Sequence, residues 1–129
     1  MAELLDYNLD EVPELKTLPD GEEVQVRIVK GSRKDSKKGD PMVEVVLDTP
    51  AYTDVAYIYH YIMLPNDKMD KRQKENALRN IKTFKEAFDL PWPLDPDQDL
   101  SGQTTWAILK EEDGDIGLRN SIKKFVGKA

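Results

Sequence analysis

Residues 22–30, EEVQVRIVK, are the stretch that decides the fold. Apolar and polar side chains alternate along it, and the apolar series is Val24, Val26 and Ile28. A period of two residues is typical of a β-strand that buries only one face. The turn sequence Pro19-Asp20-Gly21 precedes this stretch. We therefore predict a half-buried strand over 22–30, and the rest of the chain is interpreted outward from it.

Four more strands are predicted downstream. Alternation and a high content of β-branched and aromatic residues place them at Met42–Asp48, Thr53–Leu64, Gln103–Glu111 and Ile116–Val126. A polar loop is predicted at Gly31–Pro41, and Asp113-Gly114 is a strong signal for a hairpin turn between the last two strands.

One helix is predicted, over Lys71–Asp89, with Asp70 and Gln73 spaced as a capping box at its start. Four apolar residues recur at helical spacing and are expected to be buried: Leu78, Ile81, Phe84 and Phe88. The resulting order, β-β-β-α-β-β, is mostly β. It is the layout of an OB-fold, a five-stranded barrel with one helix between strands 3 and 4. An α+β sandwich with the same element order is the alternative.

Composition narrows the class of protein. The 129 residues are enough for one domain with a hydrophobic core, and the absence of cysteine excludes disulfides and thiolate metal sites. No apolar run approaches the roughly 20 residues of a membrane-spanning helix. The first ten residues lack the basic start and apolar stretch of a signal peptide. We therefore expect a cytoplasmic protein with no membrane partner.

The charge is distributed unevenly. The net charge is −6, but residues 1–23 carry eight acids and one base, whereas the remainder carries 17 acids and 18 bases. We interpret residues 1–19 as an acidic N-terminal arm and residues 20–129 as the OB-fold-like domain. Because that domain is nearly neutral and its bases are clustered, the overall acidity does not exclude a polyanionic partner.

Groups that could carry catalysis are few. His60 is the sole histidine, and we expect it to be a hydrogen-bonded residue of the core or its rim. No phosphate-binding glycine motif is present. Residues 95–99 carry three aspartates that resemble the start of an EF-hand loop, but Leu100 and Trp106 occupy positions that need Gly and Glu. The chain is therefore predicted not to be an enzyme and to bind neither a metal nor a cofactor.

The predicted loop after the first strand is strongly basic. Its sequence from Lys30 to Gly39, KGSRKDSKKG, has one acid and five bases, which are Lys30, Arg33, Lys34, Lys37 and Lys38. A flexible basic loop can follow a phosphate backbone without one fixed geometry. The alternative is a solvated hairpin loop without a ligand. In an OB-fold this segment is loop 1–2, which is one of the loops that bind oligonucleotides.

The third predicted strand carries a row of tyrosines, Tyr57, Tyr59 and Tyr61. Alternate residues of a strand project to one face about 6.6–6.8 Å apart, so bases of a single strand can stack on such rings. The alternative is that some of these rings pack under the arm or the helix. Three further bases would extend the basic surface: Arg27, Arg119 and Lys123. The acidic segment Glu111–Asp115 would repel phosphate.

Four short motifs resemble a family of small bacteriophage proteins that are regarded as OB-fold single-stranded-DNA-binding proteins. They are Leu18–Glu22, Asp35–Met42, Ile62–Pro65 and Asn120–Phe125. These motifs are distributed along the sequence, so the resemblance extends over nearly the whole chain. The resemblance implies a barrel, sequence-tolerant DNA binding in phage replication or recombination, and contacts through Ser36, Lys37 and Lys38. Related proteins often carry an acidic C-terminal tail, whereas here Lys123–Lys128 is basic and the acidic segment is N-terminal.

The leading hypothesis is binding of single-stranded DNA, with Lys34, Lys37 and Lys38 neutralising phosphates and Tyr57 and Tyr59 stacking on bases. The expected partners are that DNA, phage replication or recombination proteins and further copies of the chain, in the cytoplasm of a bacterial host. A second hypothesis is a protein-interaction module, such as a phage accessory or virion protein. A metal-dependent nuclease is the third.

Overall fold

The computed structural model describes residues 9–11, 14–91, 100–114 and 117–127. Within these ranges the chain forms a short 3-10 helix (Leu9–Glu11), one α-helix and five strands. The strands are β1 (Glu23–Asp35), β2 (Pro41–Asp48), β3 (Ile58–Met63), β4 (Thr104–Gly114) and β5 (Gly117–Gly127), and the helix is α1 (Lys71–Phe88). The predicted mostly β class is confirmed.

The five strands form one antiparallel sheet in the order β3-β2-β1-β4-β5. The edge strands β3 and β5 lie beside each other, and α1 packs against β3, β4 and β5. No ladder of backbone hydrogen bonds joins the two edge strands within the part of the chain that the structure describes. The sheet therefore curls until its edges meet but stays open at the seam between β3 and β5.

One cluster of side chains fills the space between the sheet and the helix. It includes the predicted apolar series of β1 and consists of Leu18, Val24, Val26, Ile28, Val45, Leu47, Val55, Ile58, Ile62, Phe84, Ala87, Phe88, Leu90, Ala107 and Leu109. Phe88 is fully buried, and its ring centroid lies 4.9 Å from that of Phe84 and 5.7 Å from that of Phe125. The helix is thus anchored on the sheet by aromatic contacts.

The helix begins as predicted, because Asp70 and Gln73 form both hydrogen bonds of the capping box. It ends at Phe88, one residue earlier than predicted. The prediction for Leu78 was wrong, since this side chain is 55% exposed while Ala77 is buried. Ala77 lies on the same side of the helix as the buried Phe84 and Phe88, and burial of that side leaves Leu78 pointing outward. No helix among the described residues is long and apolar enough to cross a membrane.

Three predicted strand boundaries were wrong. β1 continues to Asp35 and pairs with β2 along the way, so the predicted loop Gly31–Pro41 shrinks to a turn at residues 36–40. There the backbone N–H of Ser36 donates to the carbonyl of Asp40 at 2.8 Å, and Gly39 adopts a φ of 82°. The third strand begins at Ile58 rather than Thr53, and β4 runs through the predicted turn at Asp113-Gly114.

A strap, residues 16–18, crosses the seam between the two edge strands. The backbone of Lys16 bonds to Asp54 and Ala56, just before β3, at 2.9 and 3.0 Å. Two residues later, Asn120 of β5 accepts from the Leu18 N–H at 2.8 Å and donates to the Leu18 carbonyl at 2.9 Å. These residues belong to the predicted N-terminal arm, and they tie the segment just before β3, next to Tyr57, to β5.

Candidate nucleic-acid interface

The outer side of β1, β2 and β3 forms a continuous surface, which we call the tyrosine face. Strand register sets its rows: Lys30 of β1 lies across from Val46 of β2, and Val46 lies across from Tyr59 of β3. In the next row Glu44 lies across from Tyr61. Side chains on the inner side of the same strands are in the core, so these residues point outward.

The tyrosine row lies open to solvent. Tyr57, Tyr59 and Tyr61 are 56%, 50% and 47% exposed, whereas the alternating inner residues Ile58 and Ile62 are buried. The sequence left open whether these rings are exposed or pack under the arm or the helix, and in the structure all three are exposed. Three half-exposed rings, two on β3 and one just before it, form a patch of the kind that marks binding surfaces.

Two carboxylates on β2 hold basic side chains of β1 against this face. Arg27 donates to both carboxylate oxygens of Asp48, at 3.1 and 2.6 Å, and Lys34 donates to Glu44 at 3.0 Å. The hydrogen bond and charge of Asp48 raise the pKa of Arg27, and those of Glu44 raise the pKa of Lys34. These two predicted DNA contacts are thus already partnered inside the protein, a feature that depends on strand register.

The other bases of the predicted loop are distributed differently. Lys30 lies on the tyrosine face, and Lys37 and Lys38 are exposed at the turn. Within the described residues, none of these three lysines forms an ion pair. Arg33 lies across from the inward-facing Val43 and is therefore on the opposite side of the β1–β2 ribbon. Ser36, a predicted DNA contact, accepts through Oγ from the Asp40 N–H at 3.1 Å and so helps to close the turn.

Two adjoining cavities lie along the seam between β3 and β5 and share lining residues, so we describe them together as a cleft. The first, of about 290 Å³, lies between the three tyrosines and Arg119 and Ser121. The second, of about 370 Å³, is lined by His60 and Tyr61, by Lys123 and by the helix. The structure thus brings the predicted residues Arg119 and Lys123 to the same cleft as the tyrosine row.

The acidic hairpin of β4 and β5 closes one side of that cleft. Arg119 donates to Glu112 at 3.2 Å, and Lys110 lies 3.5 Å from the same carboxylate group. Arg119, a predicted DNA contact, is therefore already paired with a carboxylate inside the protein. Lys123 is exposed and, within the described residues, has no ion pair.

His60 sits at the rim of the core beneath the tyrosine row. Its ring centroid is 5.1 Å from that of Phe125 and 6.4 Å from that of Phe84. The expected rim location is confirmed, but no hydrogen-bond partner for the ring is found in the part of the chain that the structure describes. Burial lowers the pKa of His60, because the charged imidazolium is disfavoured among apolar rings.

This histidine predicts a pH dependence of stability. The folded state takes up the proton less readily than the unfolded state, so the free energy of unfolding falls as pH drops from above 6.5 toward the lowered pKa. Urea denaturation between about pH 7.5 and 5.5, above the range of most carboxylates, measures the effect. His60→Phe keeps a ring against Phe84 and Phe125 and should show a clearly flatter profile. Equal slopes for both proteins would contradict the assignment.

Other candidates contribute less. Trp106 is 36% exposed on β4 and lies across from Gln25. The aspartates at residues 95–99 lie outside the described residues. Within the described ranges, no group of three or more His, Asp or Glu side chains is arranged to hold a metal ion.

No protein-family model matches the chain, and no curated protein matches it.

Proposed function

We propose that the chain is an OB-fold-like barrel that binds single-stranded DNA across the tyrosine face and the adjoining cleft, in phage DNA replication or recombination. The proposed barrel is supported by the strand order, by the meeting of β3 with β5 and by the helix between β3 and β4. In such folds the face of strands 2 and 3 binds oligonucleotides.

The exposed tyrosine row carries this proposal. A base stacked on an aromatic side chain contributes about 1–3 kcal/mol, and every base offers a suitable face. Rings at alternate positions accept successive bases of a stretched single strand, whereas the bases of a duplex are paired and stacked on one another. The row therefore supports a preference for single strands without strong sequence selection.

Basic residues flank the row on both sides. Lys30 and the turn residues Lys37 and Lys38 lie beyond β2, while Arg119 and Lys123 lie across the cleft on β5. The centre of the face is occupied by the carboxylates of Glu44 and Asp48. Phosphates are thus expected along the basic margins, with the bases turned inward onto the rings.

Fluorescence anisotropy with a labelled mixed-sequence oligonucleotide of about 15 nucleotides tests the proposal. We expect binding to the single strand and at least tenfold weaker binding to the matched duplex, because a duplex cannot stack on the rings. Between roughly 50 and 200 mM salt, a log–log slope of about −3 is expected if Lys30, Lys37, Lys38 and Lys123 each contact one phosphate. No binding, or equal binding to both forms, would contradict the proposal.

A protein-interaction module is the second candidate, and one observation favours it. Leu78 is 55% exposed on α1 and, with Ile81, forms an apolar patch bordered by Lys82 and Lys85. Leu78→Ser would lower the affinity for a protein partner that binds this patch and leave the affinity for DNA unchanged. The same substitution therefore separates the two candidate functions.

A further inference from the structure

Glu44 occupies an unexpected place for a surface that binds a polyanion. Its side chain is only 18% exposed and lies between Lys34 of β1 and Tyr61 of β3. The carboxylate accepts from Lys34 at 3.0 Å, and burial and the charge of Glu44 raise the pKa of the neighbouring Tyr61 hydroxyl. The ion pair with Lys34 holds the carboxylate in place, and its negative charge repels any phosphate that approaches the middle of the face.

A base stacked on Tyr61 would bring its edge close to this carboxylate. Cross-strand neighbours have Cβ atoms about 4.5–5.5 Å apart, and a base is wider than that separation. A carboxylate has about four acceptor positions, of which Lys34 uses one. Glu44 lies on the outer side of β2, across from Tyr61, with 18% of its side chain exposed, so a hydrogen-bond donor on a base stacked there can reach a further acceptor position.

We propose that Glu44 selects bases that carry an exocyclic amino group at the position stacked on Tyr61. This inference rests on the proposed function. An ionised carboxylate only accepts hydrogen bonds, so it pairs with the N4 amino group of cytosine or the N6 amino group of adenine. Thymine presents the O4 carbonyl oxygen at the corresponding place, and two facing acceptors repel each other. Unpaired bases are recognised through such edges when they are splayed onto aromatic rings.

The probe is a pair of labelled oligonucleotides, one of thymidine and one of 5-methyldeoxycytidine. The two bases share the ring size and the methyl group. They differ at position 4, where thymine has a carbonyl and 5-methylcytosine an amino group, and at N3, which carries a hydrogen only in thymine. At about pH 7.5 and moderate salt, we expect roughly tenfold tighter binding of the methylcytidine strand. The protein with Glu44→Gln, whose amide both donates and accepts, should bind the two strands within about twofold of each other.

The matched control is Glu75→Gln on α1. This residue pairs with Arg79 at 3.6 Å and loses the same charge away from the tyrosine face, so the control should keep the tenfold preference. In the Glu44→Gln protein Lys34 loses its ion-pair partner, which raises the affinity for both strands. Because this increase is common to both strands, it cancels in the ratio of the two affinities. Far-UV circular dichroism establishes that both variants fold, and the preference of the unaltered chain tests the inference without any variant.

The possible outcomes distinguish a failure of the proposed single-strand binding from a failure of the proposed role of Glu44. No binding to either strand would overturn the proposed function. Equal binding of the two strands by the unaltered chain would overturn the role of Glu44 while single-strand binding stands. A preference that persists in the Glu44→Gln protein would likewise exclude Glu44 as the selecting residue.

Discussion

Replacing Tyr57, Tyr59 and Tyr61 together by alanine is expected to lower the affinity for single-stranded DNA by roughly 30- to 1,000-fold. Each stacked base contributes about 1–3 kcal/mol, and the three losses are not fully additive, so a total of about 2–4 kcal/mol is expected. The rings are about half exposed, and their removal leaves the buried residues Ile58 and Ile62 of the same strand in place. Anisotropy titration at a fixed salt concentration measures the loss.

The matched control for this loss is the triple tyrosine-to-phenylalanine variant. It keeps all three aromatic faces and removes only the hydroxyls, so its affinity should stay within about threefold of the unaltered chain. A loss equal to that of the alanine variant would mean that hydroxyl hydrogen bonds, rather than stacking, hold the DNA. Unchanged affinity in the alanine variant would remove the tyrosine row from the binding surface.

Element types were predictable because burial imposes a period on the sequence. Val24, Val26 and Ile28 are all buried, as their alternation indicated. The same logic fails beyond Lys30, where β1 still pairs with β2 but its own residues 31–35 are exposed or half-buried. Because none of these five residues is buried, the sequence need not alternate, and its pattern predicts a loop at Gly31 and Ser32 although both are paired in the ladder.

The helix shows a second limit. Leu78 and Ala77 are neighbours about 100° apart on the helix, and hydrophobicity alone favours burying the leucine. The structure buries Ala77 together with Phe84 and Phe88, because the two large rings fill the space at the sheet and the alanine allows close approach. Which side of a helix is buried depends on the shape of the opposing surface, which a helical period does not describe.

The sequence indicates which residues form the candidate site but not which of their side chains form ion pairs with one another. The basic residues and the tyrosines could be named from their spacing, whereas the carboxylates beside them were not recognised. Asp48 meets Arg27 because of the ladder register between β1 and β2, and that register shifts at a bulge between Ile28 and Lys30. A single-residue shift of register would exchange the faces, so these ion pairs follow only from the folded structure.

The largest expected effect on stability comes from Asn120, which sequence alone presents as an ordinary polar strand residue. Its side chain is 7% exposed and bonds to both backbone groups of Leu18, with a third contact to the Lys110 carbonyl at 3.3 Å. Asn120→Ala leaves the buried Leu18 N–H and C=O without these partners. We expect the free energy of unfolding to fall by about 2–4 kcal/mol, because each orphaned buried group costs roughly 1–3 kcal/mol. Urea denaturation measures this loss.

Asn80→Ala on the exposed side of α1 is the control, and it should change stability by no more than about 0.5 kcal/mol. Because the strap joins β5 to the backbone just before β3, the effect of Asn120→Ala should not stay local. The amides of Leu18 and Ala56 should both lose protection from hydrogen exchange, since Ala56 donates to the Lys16 carbonyl at 3.0 Å. Ala56 adjoins Tyr57, so a loosened strap also lets the first ring of the tyrosine row move. Full protection of Ala56 in the Asn120→Ala protein would mean that the two ends of the strap are held independently.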